Sequence, residues 1–293
     1  NYVDAKSGQN TGDNNRFIKY WFEVSYSNIG FVLDKLENTD CNFPKWYPYN
    51  KGGEFRKWYG NFEYVVNWAY NGKEIKEFKP SAVRNEQYYL NNGITWTAIS
   101  SGGLSARLFE DGFLFTSAGF CLYPPNEKSS TILAFLNTKI AHTFLQFFTP
   151  TMNFNVGDIA KLPIIYHNSI SVNDVVNKSL FISKADWDSR ETSWDFKETP
   201  LLNNSPSLPK SYSNWEEKVT EDFFKLHENE EELNRIFIDI YGLQDELNSD
   251  VALKDITILQ EELDRGDLKS RNGELLSAKT GLPIKKDVVI KQL

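Results

Sequence analysis

Lys45-Trp46-Tyr47-Pro48-Tyr49-Asn50-Lys51-Gly52-Gly53-Glu54-Phe55-Arg56-Lys57-Trp58-Tyr59-Gly60 sets four cations among six aromatic residues around a glycine pair. Two readings of this stretch stand side by side. Lys and Arg can meet phosphates, Arg can take a guanine edge bidentately, and the aromatics can stack on an unpaired base or support the cations. The glycines, Gly52 among them, let backbone approach a groove closely. The other reading is a structured loop whose Trp and Tyr pack inward while its charges stay solvated. In both, Pro48 and the glycines make residues 43–60 a turn-rich loop.

On either side of this loop the pattern is that of sheet. Residues 16–25 and 62–69 mix aromatic and β-branched residues, as strands do, and Asn71-Gly72 is a hairpin-turn signal. Residues 93–100 and 113–122 read as further buried strands. One helix is expected from Ser129 or Ser130, with Ile132, Leu133, Leu136, Ile140, Phe144 and Phe147 at helical spacing, ended by Pro150. Residues 153–164 form a loop. Beyond it the chain is mostly helical. Capping boxes are read at Ser171–Asp174 and Ser213–Glu216, a linker at 199–209, and two amphipathic helices from Trp215 to Leu243 with Gly242 as a stop. The fold class is therefore α+β, with a mixed-sheet domain over 1–166 and a mostly helical domain over 167–293.

Charge follows the same division. The whole chain of 293 residues carries a net −8. Residues 1–163 hold 16 Lys+Arg against 15 Asp+Glu, and the remainder holds 16 against 25. A polyanion would meet the first part, with the acidic helices turned away. The two cysteines, Cys41 and Cys121, make neither a disulfide framework nor a four-Cys zinc site, and they fit a reducing cytoplasm. No apolar run of about 18 residues is present to span a membrane. The chain starts at Asn1 and its single methionine is Met152, so a piece of a longer polypeptide is expected.

Catalytic chemistry is hard to find. His142, His167 and His227 stand at no metal-ligand spacing with one another or with cysteine. No glycine-rich phosphate loop occurs, and Ser100, Ser101 and Ser105 lack the context of a nucleophile elbow. An exocyclic-amine methyltransferase uses an Asn/Asp-Pro-Pro-aromatic loop. Tyr123-Pro124-Pro125-Asn126 has the wrong order and reads as a turn. No catalytic residue, metal or cofactor is assigned within the chain. Two further stretches can line a nucleic-acid strand: Gly8 to Phe17, with Thr11, Asn14, Asn15 and Arg16, and Ser105-Ala106-Arg107.

The order GQNTGDNNRFIKYWFEV, KWYPYNKGGEFRKWYGN, GITWTAISSGGLSAR, ILAFLNTKIAHTFLQFFTPTMNFNVGDIAKLPI and NEEELNRIFIDIYGLQDEL resembles the post-catalytic region of the phage-exclusion (BREX) adenine-specific DNA methyltransferases, over essentially the whole chain. Its NVGDI…LPI stretch is also similar to type I specificity subunits. The resemblance implies a target recognition domain followed by a helical domain. The S-adenosylmethionine site and catalytic loop would lie in the parent enzyme, and the fragment alone would be inactive. It also implies double-stranded DNA as partner and a cytoplasmic setting. Lys45, Lys51, Arg56 and Lys57 are then expected on the DNA backbone or groove, with Tyr47, Tyr49 and Trp58 stacking or supporting them. Thr11, Asn14, Asn15 and Arg16 are expected near the strand, with Arg107 a further candidate. The alternatives are a protein-docking module for other defence components or a DNA-mimicking phage inhibitor, and a carbohydrate-binding module built on Trp and Tyr.

Overall fold

The computed structural model describes residues 4–31, 44–148, 151–166, 170–202, 207–264, 268–271 and 274–277. Two four-stranded sheets and a set of helices form three layers. Sheet one is antiparallel, in the order β1 (Ala5–Lys6), β8 (Gly119–Leu122), β5 (Gly93–Thr97), β6 (Ala106–Phe109). Sheet two runs β2 (Ile18–Tyr20), β4 (Tyr64–Asn67), β3 (Trp46–Asn50), β7 (Leu114–Phe115), with β3 and β7 parallel. A separate hairpin pairs β9 (Leu268–Arg271) with β10 (Glu274–Ser277).

Alternation along the strands of sheet one sorts its two faces. Trp96 lies opposite Phe120 and Ala106, and Ile94 opposite Leu122 and Leu108. This face packs on α3 (Asn126–Leu136) and α4 (Lys139–Phe148), and the same core continues into α6 (Ile170–Asp188) and α7 (Leu208–Tyr241). The opposite face carries Thr95, Cys121 and Arg107 in register, and Phe109 beyond them. Phe109 and Cys121 share a second core with Phe17, Tyr47, Tyr49 and Val66 of the sheet-two side. The first of these cores thus draws its residues from both sides of the 166/167 boundary.

Several sequence expectations are corrected by the structure. Residues 43–60 are not all loop: 46–50 form β3, with Tyr47, Tyr49 and Asn50 buried. Pro48 is tolerated opposite Val65, at the end of the β3–β4 ladder, where β3 turns to pair with β7 instead. Residues 16–25 hold only a three-residue strand, preceded by α1 (Asn14–Phe17), which Asp13 caps. Asn71-Gly72 does adopt positive φ, but at the start of α2 (Ala69–Glu77) rather than in a hairpin.

The helix expected up to Pro150 is two helices broken at Asn137. That side chain bonds both the N–H and the C=O of Ala106 (2.8 and 3.0 Å), replacing a neighbouring strand at the edge of β6. It begins at Asn126, ahead of Ser129 and Ser130. Part of the loop read at 153–164 is α5 (Val156–Ile159). The two helices read from Trp215 to Leu243 are one 34-residue helix, so Ser213 lies inside it and caps nothing, and Gly242 closes it at φ 67. Ser171 likewise lies within α6.

Residues 54–60 join the layers. Trp58 N–H donates to Ala106 C=O (2.8 Å) and Leu108 N–H donates to Trp58 C=O (2.9 Å), so Trp58 extends the free edge of β6. It does so at φ 71, a conformation costing a bulky residue about 1–3 kcal/mol. Its indole N–H donates to Glu230 of α7 (2.8 Å), and Lys57 Nζ binds the other carboxylate oxygen (2.5 Å). Both ionic side chains are at most 8% exposed. Removing one partner of so buried a pair leaves an uncompensated charge, at a cost of about 3–5 kcal/mol. We predict that Lys57→Met lowers the unfolding free energy in urea by about that amount, while Lys45→Met, at an exposed position, stays within about 0.5 kcal/mol of the parent. Equal midpoints for the two variants would contradict this reading.

Candidate nucleic-acid interface

The sequence-expected contact residues divide into two groups. Thr11, Tyr47, Tyr49, Gly52, Arg56, Lys57, Trp58 and Arg107 are buried. Where DNA contacts are expected of them, the contacts this fold gives to Arg56, Lys57, Trp58 and Arg107 are internal. Arg56 binds Asp186 (3.2 Å) and lies over the Trp187 ring at 5.0 Å. Asp186 is also held by Arg190 (3.3 Å) and by the Leu259 N–H (2.9 Å), and Arg190 grips Glu262 bidentately (2.8 and 2.9 Å). Gly60 touches the same cluster: at φ 115, a side chain there would strike Arg56 Cδ and the Trp187 ring.

Arg107 is 1% exposed, between the sheets, and donates to Arg56 C=O (3.0 Å), Ser105 C=O (3.5 Å) and Thr97 Oγ1 (3.3 Å). Its bonds are to neutral oxygens. Burial first, and the Arg56 cation second, hold its pKa down at about 10. It remains a cation at neutral pH.

Asn14, Asn15, Arg16 and Lys45 are exposed, and Lys51 is half-buried. Two of these, Arg16 and Lys45, gather around Glu74 of α2. Arg16 donates to Glu74 through Nη2 and Nε (2.6 and 3.2 Å), and Asn67 donates to the other oxygen (3.0 Å). The Arg16 contact holds the Glu74 carboxyl below the usual carboxylate range. Lys45, Asn67, Tyr70, Lys73, Glu74 and Glu77 line one open groove of about 350 Å³. Tyr70 stands 82% exposed on its rim, and Asn14 and Asn15 occupy the adjoining α1. Lys19, which donates to the Asn15 C=O (2.9 Å), carries the cationic strip on into β2.

Next along β2 is a set of aromatics that sequence reading places only within a strand. Tyr20 pairs with Tyr64 across the sheet and stacks on it at 4.7 Å. Phe22 stacks on Tyr20 at 5.3 Å, 9° from parallel. Lys51 Nζ lies 4.2 Å from the centre of the Tyr64 ring. Burial, then the Tyr20 hydroxyl, push the Tyr64 hydroxyl upward, so it stays protonated and donates to Tyr20 (3.1 Å). The signal was present: Tyr20-Trp21-Phe22 cannot all face one core from a strand whose side chains alternate.

The chain was compared with known proteins. It is 38% identical over 287 residues to adenine-specific methyltransferase PglX of Lacticaseibacillus casei (strain Zhang), covering 92% of the chain and 23% of that protein. It is 34% identical over 243 residues to adenine-specific methyltransferase BrxX of Escherichia coli O9:H4 (strain HS), covering 81% of the chain and 19% of that protein. The chain is a homologue of part of the PglX and BrxX methyltransferases. It spans about a fifth to a quarter of the length of these curated relatives. No family model matches it.

Within this PglX-like segment the described residues offer little for cofactor or nucleophile chemistry. Among them no group of three His, Cys, Asp or Glu can hold a metal ion, and no helix is long and apolar enough to cross a membrane. Cys41 and His167 lie outside the described residues. His142 is exposed; desolvation by its neighbours lowers its pKa, and its ring contacts Gln146 (2.9 Å). Cys121 is buried in the second core, and burial pushes its thiol up to about 12. At pH 8 it carries almost no thiolate. We therefore predict that maleimide leaves Cys121 unmodified in the folded chain and labels it in urea, read by peptide mass mapping. Labelling at comparable rates in both states would contradict its placement.

Proposed function

We propose that this chain is the DNA-reading part of an adenine-specific DNA methyltransferase of a phage-exclusion system. In that reading the α/β portion, 1–166, faces the duplex and the helical portion, 167–293, braces it from behind. The observation that carries the reading is the strip Asn14, Asn15, Arg16, Lys45 and Lys73, all exposed, with half-buried Lys19 beside it. Amides and cations there share one face of the only portion of the chain that is not strongly acidic. Homology to PglX and BrxX supplies the class of substrate. Lys45 and Lys51 would set the register on phosphates, and Asn14, Asn15 and Arg16 would reach base edges. Arg16 can exchange its exposed Glu74 partner for a base at little cost, because exposed ion pairs contribute only about 0–1 kcal/mol.

In this reading S-adenosylmethionine is held by the parent enzyme, and two strand-to-helix turns of the chain bear on that. The turn from β8 into α3 is Tyr123-Pro124-Pro125, with the tyrosine ring packed among Tyr88, Phe109 and Phe115. The turn from β4 into α2 is closed by Trp68 beneath Gly72. Neither forms a glycine-rich cradle. Methyl transfer is assigned to residues of the parent enzyme outside this chain, in the cytoplasm.

A second reading has its own support. Ile170, Phe181, Leu202 and Leu208 on the helical portion are each at least 65% exposed, as suits docking of another defence component or a DNA-mimicking inhibitor.

Duplex binding followed by fluorescence anisotropy from about 50 to 200 mM salt tests the first reading. Lys45→Ala and Lys51→Ala should each weaken all sequences alike and lower the salt slope by roughly one unit. Asn15→Ala should relax discrimination among sequences, with the slope unchanged. Slopes identical to the parent in both lysine variants would overturn the phosphate assignment.

A further inference from the structure

The aromatic ladder at the end of β2 has a free end, and its geometry suits a ligand of definite kind. Its order is Lys51, Tyr64, Tyr20, Phe22, with successive ring centres 4.7 and 5.3 Å apart. The first members are half-buried, whereas Phe22 is 60% exposed. One face of Phe22 is taken by Tyr20, and Trp21 meets it at 83°, edge to face.

The turn that presents Phe22 is held from several sides. Trp21 N–H donates to Glu63 C=O (2.9 Å), and the Trp21 indole N–H donates to Thr192 C=O (2.8 Å). The Glu23 carboxylate accepts from Tyr20 N–H (2.7 Å). These bonds fix Phe22 before any ligand arrives, so little ordering entropy is lost on binding. Among the described residues, none is shown stacked on the remaining face of this firmly held phenyl ring.

We propose that Phe22 is a stacking platform for an unpaired or extruded nucleobase. Each step of the ladder is a flat π-system at stacking distance, and a base continues the series without reading sequence. Lys51 lies at the far end of the ladder, beyond Tyr64, so stacking rather than phosphate contact supplies the affinity of this platform. This inference rests on the DNA-reading role proposed above. It adds that the chain distinguishes disrupted from intact duplex. An enzyme that draws adenine out of the helix leaves an orphaned partner base and a distorted backbone, which are the chemical class this platform would take.

The test uses the 293-residue chain and three labelled DNAs: a perfect duplex, the same duplex with one unpaired purine, and the corresponding single strand. The expected result is roughly tenfold tighter binding of the bulged duplex than of the perfect one. Phe22→Ala should abolish that preference, Phe22→Trp should retain it, and affinity for the perfect duplex should be unchanged in both. Phe22 is exposed, so matching thermal melts will show that the variants fold. Equal affinity for perfect and bulged duplex, or a preference that survives Phe22→Ala, would overturn the platform and leave the DNA-reading role standing. Failure to bind any of the three DNAs would overturn both.

Discussion

The buried contact of Glu230 with Lys57 and Trp58 holds the two halves of this molecule in one arrangement. Glu230 sits in the middle of a 34-residue helix, and its two carboxylate oxygens are each taken by a neighbouring residue of one loop. That loop also extends the edge of β6, accepts Arg107 from below and holds Asp186 through Arg56. Helices α6 and α7 and sheet one therefore converge on residues 56–58. A charge at Lys57 inside the protein is tolerable only because Glu230 is there, and neither remains stable in the interior without the other.

Much of the sheet was legible in sequence because apolar runs at 62–69 and 93–100 act locally, whereas the single strand read at 113–122 is two, β7 in sheet two and β8 in sheet one. The role of 45–60 was not. Lys57 and Trp58 find their partner more than 170 residues away, and no local pattern shows that a cation will be neutralised at such a separation. The inward packing of Tyr47, Tyr49, Trp58 and Tyr59 agrees with one of the two readings the composition allowed. Of the charges, expected in solvent under that reading, Lys45 stays exposed and Lys51 half-buried, while Arg56 and Lys57 are inside as well. Asn137 is a similar case: its bonds to Ala106 stand in for a strand, which helical periodicity cannot register. Phe22 was hidden differently, in a run of aromatics whose alternation was legible but whose strand ends one residue after Lys19.

Under the DNA-reading role proposed above, this arrangement has a consequence. Half of the densest cationic motif, Arg56 and Lys57, is spent on internal cohesion, and the positive groups left at the surface are Lys45 and Lys51 of that motif with Arg16 of α1 and Lys73 of α2. A near-neutral reading surface favours discrimination over tight, sequence-blind attachment, since each phosphate contact adds affinity that all sequences share. The rigid core beneath that surface matters for the same reason. Side chains that compare base edges must be held by elements that do not yield when the wrong sequence is offered.

Hydrogen exchange at the amides of Trp58 and Leu108 tests this architecture most directly, because both close the seam between residues 56–58 and β6. If the seam binds the layers together, these amides exchange only on global unfolding, with the same free energy as the Phe237 amide in the middle of the core of α7. Exchange of Trp58 and Leu108 by local opening, several kcal/mol below that of Phe237, would show that the loop is a surface segment and that the layers are held together by something else.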